Sequence, residues 1–122
     1  EKVNAAGNIR VTFDEQESLD KYFKYNELFH IYRIIQENLN NTLKYAKATE
    51  VQLKVELEKD RVVLFFSDNG TGISEELINT PSSFLSIKRR IKVLQGELFV
   101  YNNQPRGVTF KYHIPLANET GS

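Results

Sequence analysis

The chain has 122 residues, contains no cysteine and no methionine, and balances 16 basic residues with 16 acidic ones. Zero net charge removes the general electrostatic argument for a nucleic-acid or anionic-membrane partner, and the lack of cysteine excludes disulfides and cysteine zinc sites and is typical of a reducing compartment. Because no initiator methionine is present and no apolar run approaches the roughly 20 residues of a membrane helix, we expect residues 1–122 to be one globular domain excised from a longer protein.

The first two elements differ in the period of their apolar residues. Residues 8–14 alternate apolar and polar side chains, which predicts a half-buried strand, and residues 15–24 are a polar connection. Residues 25–46 change to a spacing of three and four, which predicts one long amphipathic helix. The face predicted to lie on a sheet consists of Leu28, Ile31, Ile35, Leu39, Thr42 and Ala46.

Two consecutive strands are predicted after the helix. Residues 51–57 alternate and therefore form a strand with one wet face, and a tight turn at residues 59–60 leads to the nearly continuous apolar run 61–66. Such a run predicts a central strand that is covered on both faces. It continues into the sequence DNGTGI at residues 68–73, called here the glycine loop, where two glycines permit close approach of a ligand.

The second half of the chain completes the predicted sheet. Ser74 is a candidate cap for a short helical turn, and residues 79–83 are rich in helix breakers. Helical spacing returns over residues 84–94, and two strands at 98–101 and 108–114 are joined by a hairpin loop. The element order predicts an α+β, two-layer sandwich with helices on one face of a mixed, mostly antiparallel sheet.

The long helix carries a polar face at Glu37, Asn41 and Lys44. An acceptor, a metal-ligand oxygen and a cation are the groups that a magnesium-bound triphosphate requires. A polar stripe on an amphipathic helix is more often a solvated face, and periodicity leaves that alternative open. Ile34 lies between Asn38 and Asn41 around the helix, which fits the wall of a pocket.

The glycine loop is the second candidate site. A carboxylate at Asp68, held at the end of a buried strand, can accept a hydrogen bond from an exocyclic amine, and the glycines let a flat ring lie against the backbone. The alternative is an ordinary turn, because Asp, Asn and Gly are common turn residues.

Taken together, the two segments resemble a known family. The sequences RIIQE at residues 33–37 and NTLKYA at 41–46 match the N box, and the glycine loop matches the G1 box, of the ATP-binding catalytic domain of sensor histidine kinases in the GHKL superfamily. The closest resemblance is to the branch that partners response regulators with helix-turn-helix outputs, and it extends over about residues 9–116. It implies the Bergerat fold, with ATP held between a helical layer and a lid.

At the adenine end, the resemblance implies that Asp68 accepts from the adenine amine. Gly70, Gly72 and Ile73 would shape the pocket and the hinge of the lid, and Thr109 in the last strand would form its floor.

At the phosphate end, the resemblance implies that Asn41 binds Mg²⁺ and that Glu37 lies beside the metal or assists proton transfer. Lys44 and Tyr45 would face the phosphates, although Tyr45 stands where this branch more often has histidine. Glu37 and Lys44 are the predicted catalytic residues, and Asn41 and Glu37 the predicted metal ligands.

One segment departs from the family pattern. The G2 box usually contains glycine, but the sequence here is PSSFLSIKRR at residues 81–90, with Ser83 and Phe84 in place of Gly-Leu. Either serine hydroxyls such as that of Ser83 and the cations of Lys88 and Arg90 compensate in binding nucleotide, or nucleotide binding is weak or lost. The basic cluster at residues 88–90 also fits a solvated helix face.

The predicted function is that of the catalytic domain of a histidine protein kinase, which binds Mg-ATP and donates the γ-phosphate to a histidine on a separate dimerisation domain. The expected partners are that domain and, through the full-length kinase, a response regulator, with no nucleic acid. The fragment is expected to be a monomer, the full-length protein a homodimer, and the location the cytoplasmic part of a sensor. His30 and His113 are expected to have structural roles. The alternatives are a degenerate GHKL domain that acts as a protein-interaction module and a GHKL serine kinase or ATPase.

Overall fold

A computed structural model describes residues 2–3, 9–15 and 19–116 of the protein, and these residues form one six-stranded sheet with helices packed on it. The strands are β1 (Lys2–Val3), β2 (Ile9–Glu15), β3 (Glu50–Glu58), β4 (Arg61–Asp68), β5 (Glu97–Asn102) and β6 (Val108–Pro115). The helices are α1 (Tyr25–Asn41), α2 (Glu75–Asn79) and α3 (Leu85–Val93), and single turns of 3-10 and π geometry occupy Leu19–Lys21 and Thr42–Ala46.

The sheet has the strand order β1-β2-β3-β4-β6-β5 and is mixed. Only β2 and β3 are parallel, because α1 crosses over between them, whereas each of the other neighbouring pairs is antiparallel. The helices pack on one face of this mixed sheet, so the predicted α+β, two-layer fold class is confirmed. The prediction that residues 61–66 form a central strand is also correct, since β4 lies between β3 and β6.

The core lies between one face of the sheet and helices α1 and α3. Alternate residues of the central strands point into it, and Ile87 and Ile91 of α3 meet them one helical turn apart. Tyr112 is the largest fully buried side chain, and its ring fills the space beneath α1. Within the described residues, no helix is both long enough and apolar enough to cross a bilayer.

The buried face of α1 overlaps the face predicted from its sequence but also includes Ile34 and Asn38. Ile31, Ile34 and Asn38 are the fully buried residues, whereas Leu28, Ile35 and Leu39 are only partly buried against the core. Ile34 is therefore a core residue and not part of a pocket wall. The predicted face maximised apolar content, but the core includes one polar position, Asn38, because its side chain has a partner in the sheet.

The end of α1 also differs from the prediction. The α-helix stops at Asn41, and Thr42–Ala46 form a widened π turn that closes at Lys47 with a left-handed backbone (φ 52°). A widened turn changes the direction of every side chain after it, so helical spacing no longer places Lys44 above Glu37. The side chains of Tyr45 and Ala46 lie outside the described part of the structure.

Candidate functional site

A cavity of about 640 Å³ lies between the C-terminal half of α1, the glycine loop and the start of α3. Its volume is within the range of small-molecule sites, about 300–1,000 Å³. Polar walls come from Glu37, Asn40, Asn41 and Thr42 on one side and Asp68 on the other, and apolar walls come from Ile73, Leu77, Phe84, Leu85, Ile87, Val108 and Phe110.

Asp68 is the buried carboxylate of this cavity, 6% exposed at the end of β4. Its Oδ1 accepts the backbone N–H of Gly70 at 2.8 Å, and the backbone N–H of Val108 is a second donor. Burial raises the pKa of Asp68 above the usual 3.8, and the two backbone donors partly offset this rise. The carboxylate is thus poorly solvated and positioned to accept from a ligand donor.

The glycine loop is fixed by side-chain hydrogen bonds. Asn69 Oδ1 accepts the backbone N–H groups of Thr49 and Glu50, both at 2.9 Å, and ties the loop to the start of β3. The side chain of Asn102 accepts the N–H of Ile73 at 2.9 Å and donates to its carbonyl at 2.7 Å. Gly72 adopts φ +81°, and a Cβ there would meet Asn102 Oδ1 at 2.7 Å, so this position requires glycine.

The hairpin loop before β6 braces the glycine loop from outside. Gly107 has φ +99°, and its Cα passes so close to the Asp68 carbonyl that an added Cβ would lie 2.0 Å from that oxygen. Arg106 Nε donates to the Gly70 carbonyl at 3.1 Å. The sequence did not predict the roles of Asn69, Asn102 and Arg106, because their partners lie 19 to 36 residues away along the chain and such contacts leave no periodic signal.

On the helical wall, the structure brings Glu37 and Asn41 to the cavity as predicted. Glu37 Oε2 accepts from the Ser86 hydroxyl at 2.9 Å and lies 3.8 Å from Arg90 Nε. Arg90 also contacts His30 Nδ1 at 3.2 Å and lies over the ring of Phe29, so its guanidinium fills the angle between α1 and α3. Carboxylate and amide oxygens at one wall are hard ligands of the kind that Mg²⁺ accepts.

The α2–α3 loop, residues 80–84, closes the cavity without a glycine. Ser83 is buried and lines the cavity, and its N–H donates to the Thr80 carbonyl at 3.0 Å. Phe84 has a left-handed backbone (φ 56°), the conformation that glycine favours, and its ring packs edge-on against Phe110 with centroids 5.0 Å apart. The ring contact offsets the backbone strain, which explains how a phenylalanine occupies this position.

Three of the predicted phosphate ligands are placed elsewhere or are not described. Lys88 Nζ donates to the carbonyls of Thr80 and Pro81, at 3.5 and 3.2 Å, and therefore braces the α2–α3 loop instead of lining the cavity. Lys44 is exposed on the π turn and is not among the cavity-lining residues. The Tyr45 side chain is outside the described part of the chain.

Thr109, the predicted floor of the pocket, is not among the residues that line the cavity. Side chains alternate along β6, and Val108 and Phe110 line the cavity, so Thr109 faces the opposite side of the sheet. There its hydroxyl donates to Asn103 Oδ1 at 2.7 Å and lies 2.9 Å from the Ser67 hydroxyl. The sequence identified the correct strand but the wrong residue.

A buried polar pair that the sequence did not predict lies behind the cavity. The Tyr112 hydroxyl donates a buried hydrogen bond to Asn38 Oδ1. Burial, with Glu37 nearby, raises the pKa of Tyr112 well above 10, so the hydroxyl keeps its proton. Asn38 Nδ2 is buried and has no hydrogen-bond partner among the described residues.

Neither His30 nor His113 is among the residues that line the cavity. His30 of α1 contacts Arg90 of α3, and His113 faces outward on β6 against the ring of Phe99. Burial, followed by the charges of Arg61 and Lys111, lowers the pKa of His113 below 6.5.

Comparison with known proteins identifies the family. The model of the family described as histidine kinase-, DNA gyrase B- and HSP90-like ATPase matches residues 26–118. The chain is 32% identical over 90 residues to the signal transduction histidine-protein kinase/phosphatase DegS of Brevibacillus brevis, covering 73% of this chain and 23% of that protein. It is 33% identical over 91 residues to the sensor histidine kinase ComP of Bacillus subtilis, covering 71% of this chain and 12% of the relative. The chain therefore spans less than a quarter of these two relatives.

Solved structures agree with the fold. The blue-light activated histidine kinase EL346 of Erythrobacter litoralis superposes with a TM-score of 0.77 at 21% identity, covering 94% of this chain and 37% of that one. Full-length ShkA in complex with AMPPNP superposes with a TM-score of 0.74 at 17% identity, covering 92% of this chain and 26% of that one. At these identities the likeness concerns the fold.

Proposed function

The chain belongs to the family of histidine kinase-, DNA gyrase B- and HSP90-like ATPases and is an ATP-binding catalytic domain of the histidine-kinase type, and from this premise we propose that the cavity beside Asp68 binds Mg-ATP. The observation that carries the proposal is that two opposite walls of the cavity differ in chemistry, as adenine and a metal-bound triphosphate would require. A buried carboxylate lies at the apolar end, and hard oxygen ligands lie at the opposite, α1 wall.

The adenine would occupy the apolar end. Asp68 accepts from the exocyclic amine, and Ile73, Val108 and Phe110 offer apolar surface to the ring. Burial deprives the Asp68 carboxylate of hydrogen bonds to water, and the adenine amine would supply one in their place. In this poorly solvated site the hydrogen bond is stronger than the same contact in water. Gly70 and Gly72 keep the backbone in a shape that admits a flat ring.

The triphosphate would extend along α1 toward the start of α3. Asn41 and Glu37 would hold Mg²⁺, which when bound neutralises phosphate charge and orients the terminal phosphoryl group. The Ser83 N–H is already bonded within the loop, but its hydroxyl borders the cavity and can donate to a phosphate oxygen. Lys44 and Tyr45 remain proposed phosphate ligands, and the exposed side chain of Lys44 would have to turn inward.

In the intact protein, we propose that this domain is one part of a homodimeric sensor located in the cytoplasm. The terminal phosphoryl group would pass to a histidine nitrogen on a separate dimerisation domain, with the N–P bond forming as the bond to the β-phosphate oxygen breaks to leave ADP. The phosphate would pass from that histidine to a response regulator. Positioning and charge neutralisation supply the catalysis, so the isolated domain should show little transfer.

Calorimetric titration with Mg-AMPPNP tests the binding proposal. The unmodified domain should bind in the micromolar to millimolar range, Asp68→Asn should weaken binding at least 100-fold, and Asn41→Ala at least tenfold when Mg²⁺ is present. Asp60→Asn, the same chemical change in the exposed turn between β3 and β4, is the matched control and should bind normally.

A second candidate is a protein-interaction module that has lost nucleotide. It is favoured by the Lys88 ammonium, which is engaged with the Thr80 and Pro81 carbonyls and not with the cavity. Absence of any AMPPNP binding by the folded, unmodified domain would decide for this candidate.

A further inference from the structure

The sheet ends in a strand whose outer edge is unpaired. Strand β5 is last in the strand order and pairs only with β6 among the described residues. The hairpin bond from Asn103 N–H to the Gly107 carbonyl sets the register, so the odd-numbered residues of β5 bond to β6. The N–H and C=O groups of Leu98 and Val100 therefore point away from the sheet.

A groove of about 700 Å³ runs along this edge between β5 and α3. Four consecutive residues of β5, from Leu98 to Tyr101, line it, and because neighbouring residues of a strand face opposite sides, this indicates that the groove reaches the edge of the strand. The apolar lining is completed by Ile78, Phe84 and Ile91. An edge strand of six residues with no proline, no lysine and two half-exposed aromatic side chains is unusually open to pairing.

The basic charge of α3 indicates which kind of partner would bind in the groove. Helix α3 carries Lys88, Arg89, Arg90 and Lys92 and no acidic residue, and both Lys88 and Lys92 border the groove. A second copy of this chain, paired β5 to β5 about a two-fold axis, would bring two such helices together and repel. An extended acidic segment has the opposite charge and the alternating side chains that an edge strand accepts.

We propose that the β5 edge and its groove bind an extended, acidic peptide segment of a partner protein by adding a strand to the sheet. Backbone groups of Leu98 and Val100 form the ladder with the incoming strand, and its apolar side chains alternate into the groove beside Ile91. Its carboxylates meet Lys92, which is exposed at the rim. Phe84 is the one residue that lines both this groove and the nucleotide cavity, whereas Lys92, Leu98 and Val100 line the groove alone, so a partner would be able to bind whether or not ATP is present.

The test uses a blocked nine-residue peptide of alternating glutamate and valine, labelled for fluorescence anisotropy. It should bind the unmodified domain at least tenfold more tightly than the same peptide with lysine in place of glutamate. Backbone groups of every second residue face the same neighbouring strand, so N-methylation of one set of amides, either all glutamyl or all valyl, should abolish binding, because the ladder donors that face β5 are lost. Hydrogen exchange at the amides of Leu98 and Val100 should slow on binding.

Lys92→Glu should weaken binding at least fivefold, whereas Lys59→Glu, an equal charge change in the distant turn between β3 and β4, should not. Asp68→Asn and saturating Mg-AMPPNP should leave peptide affinity unchanged, which separates this site from the nucleotide cavity. Equal binding of the lysine peptide, no binding of the acidic peptide, or sedimentation showing a dimer that Lys92→Glu strengthens would each overturn the proposal.

Discussion

Asp68 illustrates how a single side chain acquires its properties from its surroundings. Two backbone donors hold it, yet the burial of its carboxylate is the larger influence and raises its pKa. A carboxylate in an ordinary exposed turn would be fully hydrated. The Asp68 carboxylate therefore lacks hydrogen bonds to water, and a bound amine would supply a hydrogen bond in their place.

The raised pKa of Asp68 predicts a pH dependence of stability. Because the folded state binds this proton more tightly than the unfolded state, the contribution is present below pH 3.8 and is lost as the pH rises through the folded-state pKa. Without nucleotide, the melting temperature of the unmodified domain should therefore fall relative to that of Asp68→Asn between pH 3.5 and 7. Thermal melts across this range measure both melting temperatures, and a melting temperature of the unmodified domain that rises relative to that of Asp68→Asn as the pH increases would contradict the assignment.

The hydrogen bond between Tyr112 and Asn38 predicts that the loss of unfolding free energy on substituting one residue depends on whether the other is still present. Tyr112→Phe leaves Asn38 buried with its oxygen unpaired, and this should lower the free energy of unfolding by about 1–3 kcal/mol. Adding Asn38→Leu should recover part of the loss, since both polar groups are then gone. Tyr101→Phe, the same change at a half-exposed position, is the control. Denaturant unfolding of the unmodified domain, the single variants Tyr112→Phe and Asn38→Leu, and the double variant measures the coupling, and additive losses would argue against it.

At the scale of elements, the α2–α3 loop shows how a glycine-free segment can still turn. The sequence raised the question whether Ser83 and Phe84 could replace Gly-Leu, and the left-handed Phe84 with its ring against Phe110 is the structural answer. The same contact fixes where α3 begins, and hence where Ser86 meets Glu37.

Phe84→Leu should therefore affect both stability and binding. Losing the edge-on ring pair should cost about 1 kcal/mol of unfolding free energy. AMPPNP affinity should fall several-fold, because the start of α3 would no longer be held against the cavity. Phe13→Leu, at a half-exposed position on β2, controls for loss of a ring. Unchanged AMPPNP affinity in a destabilised Phe84→Leu domain would show that the loop position is not set by this contact.

At the scale of the whole molecule, the cavity joins the two layers, since one wall is helical and the other belongs to the sheet. A ligand bound there stabilises the entire folded domain by mass action. At one hundred times its dissociation constant the gain is about 2.7 kcal/mol, or a rise in melting temperature on the order of 10 °C for a domain of this size. Scanning calorimetry with increasing Mg-AMPPNP checks the rise, and Asp68→Asn should remove it.

Much of the fold was predictable, because it depends on patterns that are local in sequence. Alternation identified β2, β3 and β6, the continuous apolar run made β4 central, and a buried strand leading into two glycines located Asp68 at the cavity. These predictions hold in the structure because successive side chains of a strand point to opposite faces, so a local pattern of apolar residues already shows which face is buried.

Other features were decided only when helix and sheet came together. The sequence cannot set the exact rotation of α1, so Ile34 was predicted to fit a pocket wall, whereas the structure buries it together with Asn38, whose side chain is bonded to the Tyr112 hydroxyl in the core. A shift of one residue along β6 moved the pocket floor from Thr109 to Val108, because neighbouring strand residues face opposite sides. Lys88 contacts the Pro81 carbonyl in the α2–α3 loop, and Arg90 contacts His30 of α1. Contacts of this kind do not follow from the spacing of residues along one helix. The sequence by itself therefore determined the elements and the two motifs, and only the tertiary structure decided which side chains of those elements meet.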